Sequence, residues 1–473
     1  MSMTPTRAAL LATCLGLAAG AAQADAERLE ADLRERFGGM PGEFSLGEVS
    51  DGLLGDRATA EDLHFVAADG ERLSVARYVV EGDYETPDAV ILEGLSLEDD
   101  DPQDLRLTAE RVRVGDPEAA LLWPEGRPLA MGFTAADLTV DGLVVEGRGE
   151  GTAVVSADGK KRLPGGPAGR GRVAVEHLTA GDLSPQAIGR LSMQGIEGRG
   201  EGPDEVGEGS FSLASLSLEG LDELDGPPDR TTLERLELQD LAIEADRLVA
   251  DLARMTVDGD MRDGEGGVRL EALELDLARM IELAPAEERT PLRLASNVLT
   301  DGRGRLTLDA AFDGRWEALG RKALLTGDSR ISAEDAFRWD LDVELPVRLP
   351  EGVDPAAYLA ELDDLRGVTL LGGEIETTLA ELGLFARMPA VMAASRGVGE
   401  AEFLEQARTQ AKGMGTMLGP EIGAILDGLV DLMAGQAETL QVNLTLPAES
   451  GVAGLAADPL ALPGKLSMRV ETR

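Results

Sequence analysis

The sequence predicts a mainly β chain with a C-terminal α-helical module, an α+β protein built on a long, curved antiparallel meander of half-barrel or groove-like form. Three observations carry this expectation. First, one phrase recurs: two apolar residues one apart, an acidic residue or Gln, Gly or Asp, then another apolar residue. It reads Val90-Ile91-Leu92-Glu93-Gly94-Leu95, Leu138-Thr139-Val140-Asp141-Gly142-Leu143, Leu191-Ser192-Met193-Gln194-Gly195-Ile196, Leu216-Ser217-Leu218-Glu219-Gly220-Leu221 and Leu236-Glu237-Leu238-Gln239-Asp240-Leu241, with looser copies at Ala60-Glu61-Asp62-Leu63 and Ala109-Glu110-Arg111-Val112. Alternation within each half is the period of a half-buried strand. The three-residue step across Gly or Asp shifts the phase by one, as a β-bulge or tight turn does. Second, turn residues punctuate the chain roughly every 8 to 14 residues from Glu43 to about Pro346. Third, the pattern changes after Pro350, where apolar stripes over Glu400 to Leu418 and Pro420 to Ala434 predict a helical hairpin.

The elements follow in order. Residues 1–24 carry Arg7, an apolar run from Ala8 to Ala22 and small residues around Gln23, which predicts a secretory signal peptide cleaved after Ala24 and hence a periplasmic protein. The apolar run is shorter than the ~20 residues of a membrane span, so no transmembrane anchor is expected after cleavage. Over residues 25–42 an amphipathic helix and linker are expected, with Leu29, Leu33 and Phe37 four apart, Glu30–Arg34 and Asp32–Arg36 pairs, and a stop at Gly38-Gly39. Residues 43–350 read as β throughout; Arg235 to Met255 is kept as strand, although Leu241, Ala245, Leu248, Leu252 and Met255 also fit a helical stripe. Residues 351–473 read as a helical-hairpin module with closing strands, packed on the same sheet. Its helices are Asp354 to Leu365, Phe385 to Ser395, Glu400 to Leu418 and Pro420 to Ala434; its strands are Glu374 to Leu384, Thr439 to Leu446 and Lys465 to Glu471. Gly419 separates the last two helices, and Pro420 sits where a first helical residue tolerates proline.

Composition narrows the function. Cys14 is the only cysteine, so the mature chain has no disulfide, thiolate metal site or thiol nucleophile. Asp and Glu number 88 against 44 Lys and Arg, and the lysines are only Lys160, Lys161, Lys322, Lys412 and Lys465. Such an acidic balance suits high external salt, as in halophilic proteins, and argues against nucleic acid as a partner.

Candidate chemistry is sparse. His64 and His177 are the only histidines, each in a strand phrase, and would form a mononuclear site only if the fold joined them. Asp258 to Glu265 superficially resembles a calcium loop, but places Arg262 and Arg269 where oxygen ligands belong. Glu98 to Asp101 is an acidic cluster read as a solvated hairpin tip. The runs Glu146 to Gly151, Glu197 to Gly202, Gly169 to Arg172 and Gly302 to Arg305 read as recurring hairpin ends, without the lysine and Ser/Thr of a nucleotide loop. No catalytic, cofactor or metal residue is therefore assigned. The least ordinary feature is methionine in the helical module, where Leu384, Phe385, Met388, Met392, Met414, Met417 and Leu418 are the candidate contacts for an apolar ligand.

The strand phrase, the export signal and the late helical module together resemble periplasmic proteins of the AsmA-like and YdgA-like kind, over about Leu53 to Pro346. The resemblance implies a long curved antiparallel sheet with a hydrophobic inner face and a connection to lipid transport and envelope homeostasis. The leading expectation is a non-enzymatic exported protein that binds or carries a lipid or other apolar ligand along a sheet groove. A structural or interaction protein with a solid core and an envelope protein partner is the second reading, and an uncharacterised hydrolase the third.

Overall fold

The computed structural model describes residues 25–52, 57–99, 105–123, 134–149, 169–201, 208–224, 232–245, 248–259, 261, 264–360, 367–451 and 466–473. The expected signal peptide lies outside them. The protein is mostly strand, with a helical cluster near its C-terminus. It divides into two compact units, Met1–Leu233 and Glu234–Arg473.

The first unit opens with helix α1, residues 25–38. Ten strands follow: β1 (Gly42–Ser45), β2 (Val49–Asp51), β3 (Arg57–Ala67), β4 (Arg72–Gly82), β5 (Pro87–Glu98), β6 (Leu105–Gly115), β7 (Ala135–Gly149), β8 (Gly169–Leu183), β9 (Ile188–Glu201) and β10 (Glu208–Asp222). β1 and β2 both pair with β3, and from β3 to β10 each strand pairs antiparallel with the next.

The recurring phrase proves to be a seam running across these strands. Asp62, Gly94, Gly142 and Gly195 adopt left-handed backbone, with φ of 51°, 63°, 60° and 60°. They sit at the middle of β3, β5, β7 and β9. Pairing skips each of them and one residue opposite: Glu61↔Arg77 is followed by Leu63↔Val75, and Asp141↔His177 by Leu143↔Val175. Both strands step together, so register is kept and the expected extra-residue bulge is absent there. The inward residues accordingly lie three apart across the seam, as in Ala60/Leu63, Val75/Tyr78, Leu92/Leu95 and Ala109/Val112, all buried. Asp tolerates the left-handed region and Gly enters it freely, which explains the residue types of the phrase.

α1 covers one end of the inner face. Leu29, Leu33 and Phe37 are fully buried against Phe65, Tyr78 and Trp123. Phe37 stacks on Phe44 at 5.1 Å between ring centroids and meets Trp123 edge-on at 5.4 Å. Tyr78 donates its hydroxyl hydrogen to the Ala120 carbonyl and accepts from the Leu122 N–H at 3.3 Å, so its one buried polar group is satisfied. The Glu30–Arg34 pair forms at 2.8 Å. Asp32, however, accepts from the Tyr84 hydroxyl at 2.8 Å instead of pairing with Arg36.

The second unit holds its own antiparallel series, β11 (Thr232–Ala245), β12 (Leu248–Asp258), β13 (Glu265–Asp276), β14 (Arg305–Leu319), β15 (Lys322–Ala333) and β16 (Phe337–Arg348). Arg235 to Met255 is thus strand. The phrase recurs here through Asp240 and Ala272, at φ 51° and 50°, and at Ala272 the register between β13 and β14 shifts as in a bulge. The Ala272 N–H donates to Asp309 Oδ1 at 2.8 Å, which offsets part of the cost of alanine in that conformation.

One expectation fails in this stretch. Between β13 and β14 the chain forms α2 (Leu277–Leu283) and α3 (Arg289–Thr300), where the sequence predicts continuous β. Asp276 caps α2 by accepting from the Arg279 N–H at 2.8 Å, and Asp301 closes α3 in left-handed backbone at φ 53°. After β16 come α4 (Pro355–Ala360), β17 (Thr369–Leu371), β18 (Glu374–Glu381), α5 (Leu384–Arg396), α6 (Glu400–Leu418), α7 (Pro420–Met433), β19 (Thr439–Thr445), β20 (Ala448–Gly451) and β21 (Ser467–Thr472). β18 pairs with β16 and β19, and β21 with β19, so the helices α5 to α7 are inserted between two adjacent strands.

Candidate functional site

The inner face of the first unit changes character along the strand order. Under α1, the residues of β3 to β6 are sealed; Leu63, Val75, Val90 and Leu92 are wholly buried. Towards β10 the cover ends among the described residues. One cross-strand row, Leu143–Val175–Ile196–Leu213, is still mostly buried. The next, Leu107–Val145–Val173–Gly198–Phe211, leaves Val173 38% and Phe211 37% exposed. The Phe211 ring lies over Gly198, where a Cβ would fall 1.9 Å from its Cε1. The last row is Leu105–Gly147–Gly171–Gly200–Gly209, with Leu105 50% exposed.

The Gly-Arg-Gly runs of β7, β8 and β9 are therefore strand ends with glycine on the inner face, not turns. On the other face of the sheet Arg172 pairs with Glu146 at 2.8 Å. In the second unit Gly266, Gly314 and Gly327 align in the same way, but there the Met261 thioether rests on the strip, its Sδ 3.1 Å from a Cβ placed on Gly266. Gly302 to Arg305, by contrast, is the turn that follows α3, and Arg303 pairs with Asp335 at 2.8 Å.

The seven candidate contacts of the helical module do not converge on one site. Leu384 packs beside Leu306, Ala333 and Ala336, and Phe385 beside Leu432 and Leu440. Met388 and Met392 are half-buried on α5. Met414, Met417 and Leu418 are exposed at the far end of α6. The module is held firmly at its other end. Glu381 accepts from the N–H groups of Gly383, Phe385 and Ala386 at 2.6, 2.8 and 3.2 Å, capping α5. Arg387 donates to the Val298 and Leu299 carbonyls at the end of α3 and to the Asp335 carbonyl, at 2.7, 3.2 and 2.8 Å, placing a cation at a helix C-terminus.

The polar candidates disperse. His64 lies on β3 and His177 on β8, five strands apart, roughly 24 Å at the usual strand spacing, so they cannot share a metal. His177 Nδ1 contacts Asp141 Oδ1 at 2.7 Å. Glu98 pairs with Arg106 at 3.2 Å, while Asp100 and Asp101 fall outside the described residues. Asp258 pairs with Arg235 at 3.1 Å, and Asp260, Arg262 and Asp263 also lie outside. Among the described residues no group of three or more His, Cys, Asp or Glu is arranged to hold a metal ion, and no helix is long and apolar enough to cross a membrane.

A cleft of about 800 Å³ beside α1, lined by Arg28, Asp32, Arg36, Tyr84, Glu85 and Glu118 among others, is not legible in the sequence, because its walls come from segments far apart in the chain. Some of its polar groups are engaged with one another, whereas the buried Arg36 Nη1 has no hydrogen-bond partner among the described residues. Arg28 pairs with Glu85 at 3.1 Å and lies over the Tyr84 ring. Burial, reinforced by the hydrogen bond to Asp32, holds the Tyr84 phenol well above the usual tyrosine range, so it stays protonated.

No protein-family model matches the chain, and no curated protein matches it.

Proposed function

We propose that this is a non-enzymatic exported protein of the cell envelope that holds a lipid or other apolar ligand on the inner face of its first sheet. The observation that carries the reading is the half-open apolar surface formed by Leu105, Val173 and Phe211 beside Ile196 and Leu213. Large apolar side chains left in contiguous contact with water are costly, and such patches mark binding surfaces. In the sealed core under α1 the same fold buries its inner face completely, so the open end is not a general property of the strands. The pattern-level resemblance to AsmA-like and YdgA-like proteins points to the same class of ligand.

The test is native mass spectrometry of protein purified without detergent. Bound lipid is expected in the wild type, and Phe211→Asp with Val173→Asp is expected to lower occupancy at least about tenfold while leaving the unfolding transition of the α1 core in place. Ligand-free protein from repeated preparations, with an inner face protected from hydrogen exchange throughout, would overturn the proposal in favour of a solid structural protein.

A further inference from the structure

We propose that the cleft beside α1 binds a short zwitterionic peptide, with Arg36 as the group that takes its terminal carboxylate. The cleft lies wholly within the first unit and shares no residue with the inner-face surface. α1 contributes Arg28, Asp32, Glu35 and Arg36 to its lining. The rest comes from the β4–β5 turn at Tyr84 and Glu85 and from the segment Glu118 to Leu121 after β6. These segments are braced from behind. Tyr78 holds the last of them through the Ala120 carbonyl and the Leu122 N–H, and Tyr84 ties the β4–β5 turn to Asp32 at 2.8 Å. A lining fixed in this way is preorganised for a ligand.

Arg36 is the residue that internal contacts leave out. Asp32, one helical turn before it, accepts from Tyr84 instead, and Arg28 is matched by Glu85 at 3.1 Å. Nη1 of Arg36 is buried without a hydrogen-bond partner among the described residues. A buried donor on a charged group is destabilising while unmatched, and a ligand that brings the acceptor regains that free energy on binding. Charge selects what brings it. Glu35 and Glu118 line the same cleft, are exposed, and form no ion pair among the described residues. A simple anion meets Arg36 but is repelled by these carboxylates and by a chain of net charge −44. A cation meets the carboxylates and leaves Arg36 unmatched, and a neutral sugar brings no charge to either. A molecule with a carboxylate at one end and an ammonium at the other satisfies both, and a carboxylate is the strongest acceptor for a guanidinium. A cleft of about 800 Å³ is large enough for a few linked residues. The backbone N–H groups of Ala119, Ala120 and Leu121 have no backbone acceptor among the described residues, so they are open to peptide carbonyls, and Met40 and Leu121 offer its side chains an apolar surface.

The test is calorimetric titration of full-length protein with tri-alanine at ~0.15 M salt, beside the same peptide amidated at its C-terminus or acetylated at its N-terminus. Tri-alanine is expected to bind, and its amide to bind about tenfold more weakly or worse. The acetylated peptide is expected to lose about threefold, since its ammonium meets exposed carboxylates only. Arg36→Gln is expected to lower tri-alanine affinity about tenfold and to erase the preference for the free carboxylate. Because Arg36 is unmatched in the free protein, this variant is expected to melt at or above the wild-type temperature, whereas loss of a structural arginine would lower it. Lipid retention at the inner face is expected to be unchanged. The amide comparison uses wild type alone, so it decides the carboxylate contact whatever the variant does. Absence of tri-alanine binding, equal affinity for its amide, or unchanged affinity in Arg36→Gln would each overturn the proposal.

Discussion

At Gly142 and Gly195 two constraints coincide: φ is 60°, and a Cβ would lie 2.6 Å from Glu110 Cγ at the first and 2.5 Å from Glu176 Cγ at the second. Replacing Gly142 by Ala is expected to lower stability by ~1–2 kcal/mol in urea unfolding, the cost of an L-residue in the left-handed region. Gly171→Ala is the control, since that backbone is extended and its Cβ would meet nothing nearer than the Arg199 carbonyl at 3.9 Å; it should be neutral within about 0.5 kcal/mol. Charge gives a second prediction at this scale. Asp342 faces Asp328 directly across the β15–β16 pair and Glu376 across the β16–β18 pair. Sharing a hydrogen bond with Asp328 raises the Asp342 pKa, with burial and the neighbouring carboxylates adding to the shift. A carboxyl whose folded pKa lies above its unfolded value favours folding as pH falls through the folded pKa and opposes it at neutral pH. Asp342→Asn should therefore stabilise the protein by ~0.5 kcal/mol at pH 7 and low salt, an advantage that vanishes below the unfolded carboxylate range near pH 4. Thermal melts at the two pH values check the sign.

Elements differ in how much the sequence discloses. α1 is legible because its apolar residues recur four apart and two glycines stop it, and α6 and α7 because Gly419-Pro420 separates two clear stripes. The seam is legible as a phase step, though not as a concerted one: the step in one strand can be read locally, whereas its alignment with neighbours is a property of the sheet. α2 and α3 are not legible. In α2 Leu277, Ile281 and Ala284 make a stripe only two turns long, and α3 is twelve residues long with Leu292 and Leu294 left exposed. The open end of the inner face is hidden for a different reason, since exposure depends on where α1 stops covering the sheet. The Met tip is legible in composition, but composition groups all seven residues in one ligand site, and only the direction of α6 separates Leu384 and Phe385 from Met417. This unequal cover makes an element-scale prediction. Leu33→Ala empties space in the sealed core and should cost ~2–5 kcal/mol, whereas Met417→Ala should leave stability within about 0.5 kcal/mol of wild type, both by denaturant titration.

Over the whole molecule charge outweighs every other surface property, with 88 acidic residues against 44 basic ones. Many cations are consumed in exposed cross-strand pairs, such as Arg77–Glu93, Arg113–Asp137 and Arg305–Glu274. Each such pair contributes little individually. Other carboxylates are left facing one another in rows, of which Asp328–Asp342–Glu376 across three strands of the second unit is an example. Strand spacing of ~4.8 Å places neighbours in such a row well inside the ~10 Å Debye length of 0.1 M salt, but outside the ~3 Å length of 1 M salt. Repulsion that folding imposes on the carboxylates should therefore be relieved by salt. The melting temperature is expected to rise steadily in sodium chloride from ~0.1 to ~1 M at pH 7, and to rise much less at pH 4, where the carboxylates are partly protonated. The comparison between pH values is what isolates charge, because salting-out of apolar surface acts at both. Equal slopes at pH 7 and pH 4 would mean that salt acts through apolar burial and that the acidic rows carry no stability cost.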